Sequence, residues 1–155
     1  MKHVKQFEKF IIPITELDLS DKGLEVLPEL PSTLINLFCY NNRLTTISGL
    51  PDGLVNLSFF NNRLTKLPEL PNLPNGLEYL GCDDNNLTSL PILPESLIEL
   101  TCNNNKLTEL PLHLPSSLEY LYCDGNGLPY NNIHGYRRWI KENHPDVYAA
   151  SKFSI

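Results

Sequence analysis

The residues of this chain with the most chemical potential are its four cysteines, Cys39, Cys82, Cys102 and Cys123. Thiolates ligate zinc, exchange disulfides and attack carbonyls. Their setting argues against all three. Each occupies the same place in a recurring eleven-residue phrase, and other copies put Phe59 or Leu19 there. A position that accepts Cys, Phe and Leu alike wants an apolar body, and a buried thiol is inert. Thiols in one row about 4.8 Å apart also cannot surround an ion tetrahedrally at about 2.3 Å. His3, His113, His134 and His144 are scattered and form no ligand set with the acids. No Ser–His–Asp order, phosphate-cradling glycine loop or paired-carboxylate cleft stands out. The expectation is a protein that is not an enzyme, with no catalytic residue, no metal and no cofactor. Four unpaired core cysteines fit a reducing, intracellular compartment.

The second chemical row is polar. Asn42, Asn62, Asn85, Asn105 and Asn126 recur in register, three residues after the Cys/Phe position. A buried amide both donates and accepts, so each can satisfy backbone groups of the turn that leaves a strand. The expected reach is into its own coil and the next. This is a structural ladder rather than a reactive one.

These rows are fixed by the phrase L-x-x-L-x-(apolar)-x-x-N-x-L. Full copies start at Leu34, Leu54, Leu77, Leu97 and Leu118, and a weaker one at Ile14, with Lys22 in place of Asn. The starts are 20, 20, 23, 20 and 21 residues apart. Apolar and polar residues alternate in the middle of the phrase, which is a strand period. Strands that recur after such a connection must be parallel neighbours, and stacked coils share one core that no coil could build alone. The spacing predicts strands starting near Thr15, Ile35, Val55, Glu78, Ile98 and Glu119. The return segments are dense in proline, as in Leu27-Pro28-Glu29-Leu30-Pro31 and Leu90-Pro91-Ile92-Leu93-Pro94. Proline excludes helix and favours an extended, polyproline-like path, with the intervening leucines turned inward. Three extra residues, Asn72-Leu73-Pro74, predict a small convex bulge.

The copies, Leu77-Glu78-Tyr79-Leu80-Gly81-Cys82-Asp83-Asp84-Asn85-Asn86-Leu87 among them, resemble the LPX-type leucine-rich repeats of bacterial type III secreted effectors. They are also similar to the Asn- and Cys-rich leucine-rich repeats encoded by giant viruses of amoebae. The resemblance covers roughly residues 14–130. It implies a right-handed leucine-rich-repeat solenoid of about six coils, with a parallel sheet on the concave face and a helix-poor convex side. In larger effectors it would also imply a helical cap before the repeats and sometimes a ubiquitin-ligase domain after them. No ligase domain is expected within the short segments that flank these repeats. A host cytoplasm would suit such a protein.

Three parts are expected: an N-terminal cap over 1–13, repeats over 14–130 and a C-terminal cap over 131–155. Asn132 can cap a helix near 132–143 that stops before Pro145. Ile133, Tyr136 and Ile140 share one face of it, Trp139 lies beside them, and Arg137, Arg138 and Lys141 face out. Val147, Tyr148 and Phe153 are expected to pack near this lid.

Charge and the outward strand positions bear on partners. The net charge is −6. Between Ile14 and Tyr130 there are 15 acids and five bases, Lys22, Arg43, Arg63, Lys66 and Lys106, a balance of −10. An acidic body repels phosphate backbones, so nucleic acid is not an expected partner. No long apolar run or cleavable leader is legible, so no membrane span or secretory route is expected. Without that route, the sequons at Asn56 and Asn86 read as accidental. The favoured partner is a basic protein held on the concave face. Phe38, Tyr40 and Phe60 should form one exposed aromatic cluster, Tyr120 and Tyr122 a second, with Tyr79 and Asp83 between them. Strand-face aromatics can merely pair with their neighbours, yet exposed ones are typical anchors. Two other readings stay open: a self-associating structural protein, as a homodimer, and the substrate-recognition part of a ubiquitin-ligase assembly.

Overall fold

The structure is a computed structural model and describes residues 12–68 and 73–150. Six short strands occur in it: β1 (Glu16–Asp18), β2 (Asn36–Phe38), β3 (Asn56–Ser58), β4 (Tyr79–Gly81), β5 (Glu99–Thr101) and β6 (Tyr120–Tyr122). All neighbours are parallel and the sheet order is the chain order, β1 to β6. Each strand starts one residue later than the alternation suggested. The central leucines define the register: Leu17, Leu37, Leu57, Leu80, Leu100 and Leu121 align across the whole sheet. Only three residues per coil are strand because the turn that follows must redirect the chain.

Repeat leucines and the Cys/Phe row fill the interior. Leu34, Leu54, Leu77 and Leu97, their partners three and ten residues on, and Cys39, Phe59, Cys82 and Cys102 are all fully buried. No helix occurs between Leu24 and Leu128 among the described residues. Most return-segment leucines do point inward, Leu67, Leu90, Leu93, Leu110 and Leu114 being buried. Ile92 and Leu112 do not; both are exposed. Of the inserted triplet, Leu73 and Pro74 are buried, so the insertion contributes a leucine to the interior, while Asn72 lies outside the described residues.

Turn chemistry adds a row that the repeat phrase did not single out. The residue before each ladder asparagine has positive φ: Asn41 (54°), Asn61 (52°), Asp84 (52°), Asn104 (52°) and Gly125 (68°), with Asp21 (60°) in the first copy. Only Asn, Asp and Gly enter this left-handed region cheaply, and only they occur there. Asn61 Nδ2 donates to Asn41 Oδ1 at 2.8 Å and Asn104 Nδ2 to Asp84 Oδ1 at 2.9 Å, so these side chains form an outer ladder.

The C-terminal end is closed by α1 (Ile133–Asn143) and α2 (Pro145–Ala150). Asn132 is the N-cap of α1, its Oδ1 accepting the Gly135 N–H at 2.9 Å. The chain before α1 protects the last strand: the Cys123 N–H donates to Asn131 O at 3.1 Å, and Tyr122 and Asn132 form an antiparallel bridge. Ile133, Tyr136 and Ile140 are buried on the last coil, and Tyr136 Oη donates to Pro111 O and Leu112 O, both at 2.9 Å. Arg137 does not face out as expected. It is half-buried and its Nη2 donates to Leu118 O at 3.2 Å, tying the helix to the start of the last copy. Pro145 ends α1 and also begins α2, because proline is well suited to the first turn of a helix. Of the cap expected over 1–13, only Ile12 and Pro13 are described; Phe153 lies outside the described residues.

Candidate functional site: the concave sheet face

Strand register sorts the outward side chains into three rows. The first holds Glu16, Asn36, Asn56, Tyr79, Glu99 and Tyr120. The second holds Asp18, Phe38, Ser58, Gly81, Thr101 and Tyr122. The third, two residues further along each strand, holds Ser20, Tyr40, Phe60, Asp83, Asn103 and Asp124.

The N-terminal aromatic cluster is present but not freely exposed. Tyr40 and Phe60 stack with ring centroids 4.5 Å apart and planes within 6°. They and Phe38 are half-buried, which corrects the expectation of a protruding patch. The cause is the parallel register, which sets in-line side chains about 4.8 Å apart, the spacing at which rings stack. Beside them Asn56 Nδ2 donates to Asn36 Oδ1 at 2.7 Å, and Asn36 Nδ2 to Glu16 Oε2 at 3.3 Å.

In the middle of the sheet the face is shallow. Ser58 and Gly81 are buried rather than outward. A Cβ on Gly81 would lie 2.7 Å from Tyr79 Oη, so the tyrosine ring folds across the glycine. Burial pushes the Tyr79 phenol pKa up, opposed by a hydrogen bond with Thr101. Asp83 is occupied too: it accepts from Thr101 Oγ1, from the Asn103 N–H at 2.8 Å and from Asn103 Nδ2 at 2.7 Å. The chain of bonds continues as Asn103 Oδ1 accepts the Asp124 N–H at 2.8 Å. Tyr79 and Asp83 are therefore part of a preorganised polar floor.

At the C-terminal edge the face opens. Tyr120 is 50 % exposed and Tyr122 46 %, the most exposed aromatics of the face. Both sit on β6, where no further coil follows to stack on them.

Beneath the face, the ladder asparagines hold the turns. Asn62 Oδ1 accepts the Leu44 N–H at 2.9 Å, while its Nδ2 donates to Cys39 O and Phe59 O, each at 3.0 Å. Asn85, Asn105 and Asn126 repeat this arrangement, and Asn42 accepts from both Lys22 N–H and Leu24 N–H. The bonds reach into the preceding coil, not the following one, because the amide points back along the solenoid axis. The cysteines lie inside this ladder. Desolvation pushes Cys39 and Cys123 up to about 12, and Cys82 and Cys102 well above the ordinary thiol value.

Three other features escaped the repeat phrase. Hydroxyls at the residue before three of the copies tie neighbouring turns: Ser96 Oγ donates to Leu77 O at 2.6 Å, Ser117 Oγ to Leu97 O at 2.7 Å and Thr33 Oγ1 to Ile14 O at 2.6 Å. A cleft of about 420 Å³ lies away from the sheet, between two return segments and α1, lined by Ile92, Leu112, Trp139 and His144 among others. Its apolar lining is drawn from segments far apart in sequence, so only folding assembles it. The bases of the repeats avoid the concave rows: Lys22 sits exposed at the ladder position of the first copy, and Arg43, Arg63 and Lys106 sit exposed just after it in theirs.

No protein-family model and no curated protein sequence matches the chain. Solved structures do. The leucine-rich-repeat domain of a Shigella effector aligns with 36% identity and a TM-score of 0.70 over 75% of this chain and 51% of its own. YopM of Yersinia pestis, a leucine-rich effector protein, aligns with 42% identity and a TM-score of 0.67 over 72% of this chain and 31% of its own. YopM of Yersinia enterocolitica gives 40% identity and 0.65 over 74% and 30%. The chain thus spans about half of the first and under a third of the others. With the sheet and the repeat register, these likenesses define the chain as a leucine-rich-repeat solenoid. Its structural neighbours are the repeat domains of bacterial effectors. No described helix is long and apolar enough to cross a membrane.

Proposed function

We propose that this chain is a protein-interaction module that holds a basic partner on its concave face and carries out no catalysis itself. One observation carries the reading. The eighteen positions of the three concave rows include five carboxylates, Glu16, Asp18, Asp83, Glu99 and Asp124, and no lysine or arginine. A curved, rigid face of one charge sign steers an oppositely charged partner, while aromatic side chains supply the anchoring area. Tyr120 and Tyr122 are the best-exposed anchors; Phe38 and the stacked Tyr40 and Phe60 form a second platform, with Tyr79 and Asp83 between the two. That its structural neighbours are effector proteins supports a role in contact with other macromolecules. The raised thiol pKa values support a structural rather than nucleophilic use of the cysteines.

Affinity capture from the natural cellular setting tests this, scored with a Tyr120→Ala/Tyr122→Ala double variant, a Phe38→Ala variant and an Ile92→Ala control on the convex side. Loss of an anchor should weaken capture about 30-fold, the equivalent of about 2 kcal/mol. Rising salt should weaken it further. Capture that persists in both concave variants and vanishes with the Ile92 control would move the contact to the cleft beside Trp139. If light scattering shows a dimer that the tyrosine variant abolishes, the partner is a second copy of the chain.

A further inference from the structure

Asparagine followed by glycine is the sequence most prone to spontaneous loss of the side-chain amide, because no Cβ shields the following backbone nitrogen. The chain contains this pair twice, as Asn75-Gly76 and Asn126-Gly127. The fold treats the two in opposite ways. Asn126 belongs to the ladder: its Oδ1 accepts the Leu107 N–H at 3.0 Å and its Nδ2 donates to Cys102 O at 2.9 Å and Cys123 O at 3.0 Å. The Gly127 N–H, which would have to attack, donates to Leu107 O at 2.8 Å. Asn75 and Gly76 are both exposed, in the turn closed by the Leu77 N–H to Pro74 O at 3.2 Å. Neither the Asn75 amide nor the Gly76 N–H makes a hydrogen bond among the described residues, and only the Asn75 main-chain oxygen is held, by Ser96 Oγ at 2.8 Å.

We propose that Asn75 is a deamidation site, a modification position that the fold leaves open while protecting the chemically identical pair at Asn126. The Gly76 nitrogen loses its proton to solvent base and bonds to Asn75 Cγ, and the Cγ–Nδ2 bond breaks to release ammonia. The resulting five-membered succinimide adds water at either carbonyl. One opening restores the backbone with an aspartyl side chain, and the other leaves an isoaspartyl linkage with an extra backbone methylene. Nothing but water is consumed. Either product adds one negative charge to the already acidic repeat region. The isoaspartyl form also lengthens the chain between Pro74 O and the Leu77 N–H and displaces the oxygen that Ser96 holds. The coil that begins at Leu77 is thereby loosened from the one that begins at Leu97.

The test is incubation of the folded chain in warm, mildly alkaline buffer, followed by peptide mass spectrometry and isoaspartate detection. Asn75 should convert at least ~10-fold faster than Asn126, because Asn126 must first leave its ladder, a local opening that costs free energy. In denaturant the two rates should converge. Gly76→Ala should suppress conversion at Asn75 in a folded protein, since a Cβ there meets nothing within 4 Å and its φ is not positive. An unchanged far-UV spectrum and melting curve of that variant confirm that it folds. Equal conversion of Asn75 and Asn126 in the folded chain, or an Asn75 that stays an amide while Asn126 reacts, would overturn the proposal.

Discussion

Replacing Asn85 with alanine probes a buried rung of the ladder. The Asn85 side chain is buried and makes four bonds: Oδ1 accepts the Leu64 N–H at 3.0 Å, and Nδ2 donates to Phe59 O, Cys82 O and Asp83 O at 3.1, 3.2 and 3.0 Å. Truncation strands the Leu64 N–H, whose residue is fully buried, while Phe59 O and Cys82 O each lose one donor and keep another, from Asn62 Nδ2 and Asn105 Nδ2, both at 3.0 Å. A stranded buried group costs about 1–3 kcal/mol. Asp83 O lies nearer the surface and can turn to water. The orphaned amide, with one bond lost at each inner carbonyl, sums to about 2 kcal/mol. The neighbour, Asn86, contributes its main-chain N–H to Leu64 O at 2.8 Å, and alanine keeps that bond. Asn86→Ala should therefore stay within about 0.5 kcal/mol of the parent. Urea denaturation followed by circular dichroism gives both differences, and hydrogen exchange at the Leu64 amide gives a local reading. Asn85→Asp is the sharpest variant: it matches the shape, cannot donate to the carbonyls when ionised, and should be at least as damaging as alanine. Equal shifts for Asn85→Ala and Asn86→Ala, or a Leu64 amide as protected as in the parent, would refute the ladder argument.

Further outcomes follow from the same geometry. Asn61, at φ 52°, should accept glycine with little change, whereas Asn61→Val should cost about 1–2 kcal/mol in thermal or urea melts because a β-branched residue resists the left-handed region. Tyr136→Phe removes a hydroxyl that donates to Pro111 O and Leu112 O, and should destabilise the C-terminal lid by about 1 kcal/mol, seen as faster exchange in α1. Phe60→Ala breaks the stack with Tyr40 and should lower stability by about 1 kcal/mol in the same melts, so its binding effect must be read against its melting curve. The folded chain holds its thiols at raised pKa, Cys39 at about 12 against an ordinary 9.0, so the unfolded state gives up these protons first. Their contribution to stability is whole below pH 9.0 and is lost as pH rises through about 12, and Cys39→Ala should flatten that alkaline limb.

Much of the architecture was legible because each repeat states its own constraint. A leucine at the first, fourth and eleventh places, with the asparagine at the ninth, leaves one backbone path per coil, and copies about 20 residues apart must stack in parallel. The helix of the C-terminal lid was legible for the same local reason, since Asn132 caps and Pro145 stops. The sidedness of Asn85 and its row was legible, but the direction of their bonds was not. Whether an amide leans toward the coil before or after depends on the tilt between coils, which no single copy contains. Exposure on the concave face was decided by tertiary structure as well. Alternation puts Phe38, Tyr40 and Tyr120 on the same side, yet the first two are half-buried, Tyr40 by its stack with Phe60, and the end of the sheet leaves Tyr120 open. Arg137 shows the same limit: its helical position reads as outward, and the Leu118 carbonyl of the coil beneath draws it in. Local pattern determines which side a residue occupies; what covers it there is set by neighbours 20 or more residues away, through packing that exists only once the coils have stacked.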